Sequence, residues 1–226
     1  LLTAAAVEDL NFEFENSCIA VALNCWGALP EPGRLVVNIS AEVLVQVLKR
    51  CGRDALIELI SGFGVLPRLL VLEITEYERV ANMDELAQVV AEIRTAGVAL
   101  ALDDFGDGRS SLRLWAQIKP EFVKIDKYFT KDISLHADKL KTIQALQQIA
   151  AIFGTALVAE GIETEADLRV LRDLDIAYGQ GYFMGRPAPL PLEEIQPAAL
   201  EVMRDRRVAV FPELTRPSHA GQLSRV

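Results

Sequence analysis

The sequence is poor in cysteine. Its three cysteines, Cys18, Cys25 and Cys51, form no Cys-x-x-Cys pair. That spacing fits reduced, buried thiols better than a disulfide framework or a zinc site. It therefore favours a protein of the cytoplasm.

Positive charge is also scarce, and no apolar run is long. Lys and Arg number 23 against 32 Asp and Glu, a formal net charge of -9. Nucleic acids and anionic membranes are bound by clustered Lys and Arg, so the net charge argues against both as general partners. A phosphate group could be bound only by a metal ion or a very local basic group. No apolar run approaches the roughly 20 residues of a membrane span, and the start lacks the basic region of a signal peptide. We expect no DNA binding and no membrane contact from this segment.

What the sequence does contain is an alternation of apolar, β-branched runs with segments of helical periodicity. The predicted strands are 35–40, 69–75, 99–104, 122–126, 156–162 and 179–184. The predicted helices are 3–26, 41–51 or 41–64, 84–96, 110–116, 137–153 and 164–174. Each helix is long enough for a right-handed crossover between parallel strands. The pattern predicts a parallel sheet.

Polar residues follow nearly every predicted strand. They are Asn38, Glu73, Asp103, Asp104, Lys124, Glu160 and Gln180. A (β/α)8 barrel builds its active site from all of its C-terminal strand ends, whereas a doubly wound sheet uses one switch point. We therefore predict an α/β fold of the TIM-type (β/α)8 barrel class, without its first strand or strands, over residues 1–200. Residues 201–226 are predicted to be a tail or a linker to a further module.

The convergence of these residues on one barrel mouth has a chemical meaning. Four carboxylates beside one lysine need compensation, because like charges a few ångströms apart raise each other's pKa values. Oxygen ligands with one amide suit Mg2+ or Mn2+. Two such ions bridged by a carboxylate would stabilise the attacking and leaving oxygens in phosphoester hydrolysis. Lys124 would orient a water or offset charge at phosphorus.

Each acid also has a structural interpretation. A lone acid at a strand end, such as Glu73, is most often solvated or caps a helix. Asp104 would then fix its own loop, and Asp126 would cap the next segment or pair with its neighbour. Glu76 and Glu163 are predicted to brace loops or other ligands.

Six short phrases give a more specific indication. They are Val-Asn-Ile-Ser at 37–40, Leu-Glu-Ile-Thr-Glu at 72–76, Asp-Asp-Phe-Gly at 103–106 with Ser-Ser-Leu at 110–112, Lys-Ile-Asp at 124–126, Ala-Glu-Gly-Ile-Glu at 159–163 and Gln-Gly-Tyr at 180–182. In this order and at this spacing they resemble the EAL-domain family of cyclic di-GMP phosphodiesterases. The resemblance covers about residues 1 to 190.

The resemblance implies a TIM-type barrel that cleaves cyclic di-GMP to linear pGpG with two Mg2+ or Mn2+ ions, in bacterial second-messenger signalling. On this resemblance the roles of the strand-end residues can be assigned. Asn38, Glu73 and Asp103 would be metal ligands, Asp104 would serve the second ion, Lys124 and Glu160 would position or activate the water, Gln180 would complete the site, and Asp126 and Glu163 would contact substrate or brace the ligands.

The resemblance also implies partners. Glu76 would hold the loop that links the metal site to the interface of a homodimer. That loop includes Phe105, Gly106, Asp107, Arg109 and Ser110. Other signalling domains would share the polypeptide.

Two departures from the family pattern stand out. The Glu-Ala-Leu motif and its following arginine are absent from this sequence, and we expect them in an upstream segment that also carries a strand pair, because an open barrel would leave strand edges unpaired. In the loop, Asp107 and Arg109 replace the usual threonine and aromatic residue, so regulation is expected to differ there.

The residues leave two rival functions open. One is a catalytically inactive receptor that binds cyclic di-GMP and signals through a partner; the intact acid set favours the enzyme. The other is a barrel with unrelated carboxylate chemistry, such as a glycosidase.

Overall fold

A parallel sheet whose strands follow one another in chain order organises the fold. The computed structural model describes residues 11–30, 33–74, 82–106, 112–189, 191, 194–209 and 211–213. The strands are β1 (Leu35–Ile39), β2 (Leu70–Ile74), β3 (Ala99–Phe105), β4 (Phe122–Ile125), β5 (Ala156–Ala159) and β6 (Tyr178–Gly179). Every neighbouring pair is parallel, in the order β1-β2-β3-β4-β5-β6. The order never reverses, so this sheet has no switch point of the doubly wound kind.

Helices connect the strands. They are α1 (Asn11–Gly27), α2 (Ala41–Gly62), α3 (Met83–Thr95), α4 (Leu112–Ile118), α5 (Lys127–Thr130), α6 (Ala137–Phe153), α7 (Glu165–Asp173) and α8 (Pro197–Arg204), with 3-10 turns at Pro67–Leu69 and Ile133–Leu135. Their starts follow the local sequence: the Ser40 hydroxyl accepts from the amide of Val43 at 3.3 Å, which caps α2. Gly154, with a φ of 70°, ends α6.

The two faces of the sheet differ in character. Leu72, Leu100, Val123 and Leu157 belong to the apolar core that the sheet forms with the helices. The alternate residues of each strand point to the opposite face. On that face the guanidinium of Arg34, beside β1, lies 5.3 Å from the centre of the Phe122 ring on β4. From β1 to β4 a flat sheet covers three strand spacings, about 14 Å, so this contact fits a sheet that curls as a barrel wall does.

Most predicted elements agree with the structure to within a few residues, but the sixth strand does not. It was expected over 179–184, whereas pairing with β5 ends at Gly179. The chain then turns, and the amides of Met184 and Gly185 both donate to the carbonyl of Gly181, at 3.0 and 3.1 Å. The helix predicted from residue 3 is described only from Asn11, where α1 begins.

The cysteines are free, as predicted, but their predicted burial is wrong. Cys18, Cys25 and Cys51 are all exposed. The reason is the shallow packing of α1, in which Leu23 is the fully buried residue. Cys51 lies beside Gly52, where the non-helical φ of 76° kinks α2.

The predicted boundary at residue 200 falls within α8. Ala199 and Val202 of this helix are buried in the core. Beyond the helix, Asp205 Oδ2 pairs with Arg169 Nη1 of α7 at 2.7 Å. The chain to residue 209 thus packs on the barrel, and a further module beyond it stays a prediction. In the described part of the chain, no helix combines the length and apolar character that crossing a membrane requires.

Candidate functional site

Lys124 is the centre of an ion-pair cluster at the carboxyl ends of the strands. Its Nζ lies 3.0 Å from Glu73 Oε1, 2.8 Å from Asp103 Oδ1 and 2.7 Å from Glu160 Oε1. Each of these four side chains is at most 14% exposed. Among the described residues, this one ammonium group contacts three largely buried carboxylates, so negative charge exceeds positive charge among these four side chains.

The parallel register explains why these residues meet. Lys124 lies on β4, Asp103 on β3 and Glu73 on β2, and Glu160 directly follows β5. Asn38 on β1 is the register partner of Glu73. Because side chains alternate between faces, the strand neighbours Leu72, Leu102 and Val123 point into the apolar layer instead.

A bulge at the end of β3 accounts for the paired aspartates. Neighbouring strand residues normally point to opposite faces. Here the β3–β4 register shifts between Leu102 and Phe105, and Asp104 adopts a left-handed φ of 46°. Such a bulge re-aims a side chain, and it turns the carboxylate of Asp104 toward the same site as that of Asp103.

Three carboxylates fit a hard divalent cation. One oxygen each from Asp103, Asp104 and Glu160 lies within 4.8 Å of the other two. Oxygen-only donors of this kind suit Mg2+ or Mn2+ and not the softer metals that thiolates select. The residues present therefore match the class of metal that the sequence predicts.

Burial and mutual repulsion shift the pKa values of the cluster. Burial raises the pKa of Glu73 to about 7; Lys124 opposes the shift and the Asp103 charge adds to it. Burial likewise raises the pKa of Glu160, against the effect of Lys124. Burial alone would lower the pKa of Lys124, but the charge of Glu73 and hydrogen bonds to Asp103 and Glu160 raise it. Lys124 is therefore firmly protonated.

The other predicted residues divide into two groups. Gln180 joins the site, since its Nε2 donates to Glu160 Oε1 at 2.6 Å. Asp126 instead caps α5, accepting from the amide of Tyr128 at 2.8 Å. Glu163 forms an exposed ion pair with Lys131 at 3.3 Å. Of the roles considered for Asp126, the observed contact is the one expected of a helix cap.

The predicted loop is described only at its start. The Phe105 ring packs edge-on against Trp115, with 5.0 Å between ring centres. Gly106, with a φ of 111°, approaches the Phe129 ring so closely that an added Cβ would lie 2.4 Å from Phe129 Cε2. Glu76, Asp107, Arg109 and Ser110 lie outside the described residues.

Two buried polar residues, Asp167 and Thr130, are not among the predicted site residues. Asp167 is 1% exposed and accepts hydrogen bonds from the hydroxyls of Ser134 and Thr164, at 2.8 and 2.7 Å. Thr130 is fully buried and donates to the backbone carbonyl of Glu160. The spacing of Thr164 and Asp167 marks the start of α7 in the sequence, but nothing in the sequence indicates the bond from Thr130.

The fold and the site together define a barrel-type α/β protein with a hard-cation donor set at its C-terminal strand ends. The chain belongs to the EAL domain family, whose model matches residues 7–187. The predicted family is therefore confirmed.

Curated relatives point in the same direction. The chain is 33% identical over 166 residues to the cyclic di-GMP phosphodiesterase NbdA of Pseudomonas aeruginosa, covering 71% of this chain and 20% of that protein. It is 30% identical over 157 residues to the probable cyclic di-GMP phosphodiesterase PdeA of Escherichia coli, covering 70% and 21%. The chain thus spans about a fifth of the length of the curated relatives it matches.

Solved structures confirm the fold class. The complex of Klebsiella pneumoniae BlrP1 with calcium and cyclic di-GMP has a TM-score of 0.73 at 29% identity, covering 83% of this chain and 47% of that one. A standalone EAL protein from Vibrio cholerae O395, bound to cyclic di-GMP, has a TM-score of 0.77 at 24% identity, covering 88% and 84%. The latter speaks for the fold alone. Together with the parallel sheet, these similarities confirm the predicted TIM-type α/β architecture.

Proposed function

We propose that this chain is the catalytic domain of a metal-dependent phosphodiesterase that hydrolyses cyclic di-GMP to pGpG. The observation that carries the proposal is the carboxylate cluster of Asp103, Asp104 and Glu160 around Lys124. Relatives at 30–33% identity bear the name of this activity. A pure receptor has no need for the full acid set.

The proposed metal ligands are Asn38, Glu73 and Asp103, with Asp104 serving a second ion. Bound Mg2+ or Mn2+ would neutralise phosphate charge and stabilise the attacking and leaving oxygens. Before any ion binds, Lys124 offsets part of the charge on Glu73 and Asp103. This contact holds the carboxylates in place for a cation.

Glu160 is the proposed acceptor of the water proton. Its pKa is raised by burial, which makes it a stronger base than an ordinary glutamate. Lys124 and Gln180 both bond to Glu160 Oε1, at 2.7 and 2.6 Å, and so fix the carboxylate. In the reaction the water oxygen bonds to phosphorus, the bond from phosphorus to the leaving sugar oxygen breaks, Glu160 takes up the water proton, and the leaving oxygen takes a proton from solvent.

The test is hydrolysis by the full-length protein with Mg2+ or Mn2+, followed by chromatographic detection of pGpG. Glu73→Ala and Asp103→Asn should each lower turnover by at least about 100-fold, because each removes a carboxylate that the ions require. Asp138→Asn, an exposed acid on α6, is the matched control and should keep activity.

Two results would overturn the proposal. Binding of cyclic di-GMP without turnover in both metals would identify a receptor domain. Absence of both binding and turnover would exclude enzyme and receptor alike.

We also propose, from the family alone, a homodimer in the cytoplasm with other signalling domains on the same polypeptide. Light scattering of the full-length protein tests the dimer. A monomeric mass at micromolar concentration would contradict it.

A further inference from the structure

The short helix α5 lies against two turns of the site. On one side Phe129 packs on Gly106, the residue two positions after Asp104. On the other side Lys127 packs on Gly161, which follows Glu160; a Cβ added at Gly161 would lie 2.6 Å from the Cβ of Lys127. The single turn of α5 thus spans the gap between the end of β3 and the end of β5.

Thr130 adds a polar bond to this packing. Its buried hydroxyl donates to the carbonyl of Glu160 and lies 3.3 Å from the carbonyl of Lys127. The amide of Glu160 donates to the carbonyl of Ile125 at 3.3 Å. Both polar backbone groups of Glu160 are therefore bonded to the chain around α5, one at the end of β4 and one at Thr130.

The far end of α5 is fixed as well. Asp167, almost completely buried, accepts from the amides of Asp132 and Ser134 at 3.2 and 3.0 Å. These amides belong to the turn that directly follows α5. Because Asp167 binds this turn to α7, the position of Thr130 at the end of α5 is fixed. Its hydroxyl can therefore hold Glu160 in one place.

We propose that Thr130 is a positioning residue for Glu160. The Glu160 carboxylate bonds to Lys124 and Gln180 at 2.7 and 2.6 Å, and displacing it by about 1 Å would carry both contacts beyond hydrogen-bond range. The hydroxyl of Thr130 prevents such a displacement by satisfying a buried carbonyl that would otherwise have to seek another donor. The catalytic consequence rests on the proposed function, whereas the positioning itself does not.

Three variants of the full-length protein separate positioning from stability. Thr130→Val keeps the volume and removes the donor, and Thr130→Ser keeps the donor and removes the methyl group. Thr155→Val is the matched control: Thr155 is also buried, and its hydroxyl donates to the carbonyl of Pro120 at 2.8 Å and accepts from Trp115 at 3.0 Å. Thr155 directly precedes β5, at the end of the sheet opposite the site.

The readouts are Mn2+ affinity without nucleotide, kcat and KM for cyclic di-GMP, and crystal structures of wild type and Thr130→Val. Glu160 supplies one of the three carboxylates that fit a divalent cation, and replacing a residue that orients such a carboxylate typically lowers affinity or activity 10–100-fold. We expect Thr130→Val to weaken Mn2+ binding and to lower kcat by about 10-fold or more, with KM within about threefold. Thr130→Ser and Thr155→Val should stay within about threefold of wild type in Mn2+ affinity, kcat and KM.

If the wild-type protein neither binds Mn2+ nor hydrolyses cyclic di-GMP, the proposed function is overturned, but the positioning role of Thr130 is not. The crystal structures test that role independently of activity. In Thr130→Val we expect Glu160 Oε1 to move out of hydrogen-bond range of Lys124 and Gln180. An unmoved Glu160 overturns the positioning role. So does an equal loss of Mn2+ affinity in Thr155→Val, since that would reflect general destabilisation.

Discussion

Lys124 Nζ lies 2.8 Å from Asp103 Oδ1 across the β3–β4 pair, and the same nitrogen bonds to Glu73 on β2. A single cation thus joins three neighbouring strands at the mouth of the barrel. Without it, the largely buried carboxylates of Glu73, Asp103 and Glu160 would lose the positive charge that they share. The ammonium group therefore has a structural role in the metal-free protein that is separate from any part in catalysis.

The first prediction concerns that structural role. Lys124→Met should lower the free energy of unfolding of the metal-free protein by about 3–5 kcal/mol at pH 8, because removing one partner leaves buried charges uncompensated. Urea denaturation in the presence of a chelator measures the change. Lys131→Met is the control: Lys131 and Glu163 are 54% and 46% exposed, and exposed pairs contribute less than about 1 kcal/mol. Equal losses of unfolding free energy in the two variants would contradict this structural role of Lys124.

The second prediction is the pH dependence that follows from Glu73. Its pKa is about 7 in the folded protein against an ordinary value of 4.5, so the folded state binds the proton more tightly. The resulting stability is fully present below pH 4.5 and is lost as the pH rises through 7. Glu73→Gln cannot ionise and keeps its stability over this range.

The measurement for Glu73 compares variant and wild type by urea denaturation from pH 5 to 8 without metal. The unfolding free energy of Glu73→Gln relative to wild type should rise with pH, by an amount on the order of 3 kcal/mol. Glu163→Gln, at an exposed position, should show a constant difference. A difference that stays flat for Glu73→Gln as well would refute the raised pKa.

Sequence periodicity predicted the strands and placed Glu73 and Lys124 at their ends, because alternation and strand exits are local properties of the chain. The orientation of Asp104 was not predictable in the same way, since it depends on a register shift between β3 and β4. The bond from Thr130 to Glu160 joins positions 30 residues apart, and a threonine ending a short helix carries no sign of it. The exposure of the cysteines likewise follows from how shallowly α1 packs, which is a tertiary property.

The third prediction concerns the backbone at Glu160. Gly161 has a left-handed φ of 64°, and an added Cβ would lie 2.6 Å from Lys127 Cβ. Gly161→Ala should therefore displace the Glu160 main chain and lower turnover by at least about 10-fold. Gly154→Ala is the control. Gly154 has a similar φ of 70°, so alanine there causes the same backbone strain, but an added Cβ would meet no neighbouring atom and so would displace nothing.

Gly154→Ala should cost about 1 kcal/mol of stability and leave turnover within about threefold of wild type. Steady-state kinetics and urea denaturation of both variants supply the comparison. Equal turnover in the two alanine variants would show that the contact with Lys127 does not constrain Glu160.

The fourth prediction tests whether α8 and the chain after it belong to the barrel. Arg172 of α7 donates to the carbonyls of Val202, Asp205 and Arg207, with Nη1–O and Nη2–O distances of 2.7 Å to the latter two. The amide of Arg207 and the guanidinium of Arg169 hold the pKa of Asp205 below its usual range. This segment is therefore bonded to α7 through its backbone as well as through its side chains.

Arg172→Gln should remove these backbone bonds, each of which contributes about 0.5–1.5 kcal/mol. Amide hydrogen exchange over residues 197–209 should then accelerate by about 10-fold or more, while exchange in β2 to β4 stays slow. Arg204→Gln, on the exposed face of α8, should leave the exchange rates near those of wild type. If Arg172→Gln also left them unchanged, the burial of Ala199 and Val202 would be sufficient to hold α8, and the bonds from Arg172 would be dispensable.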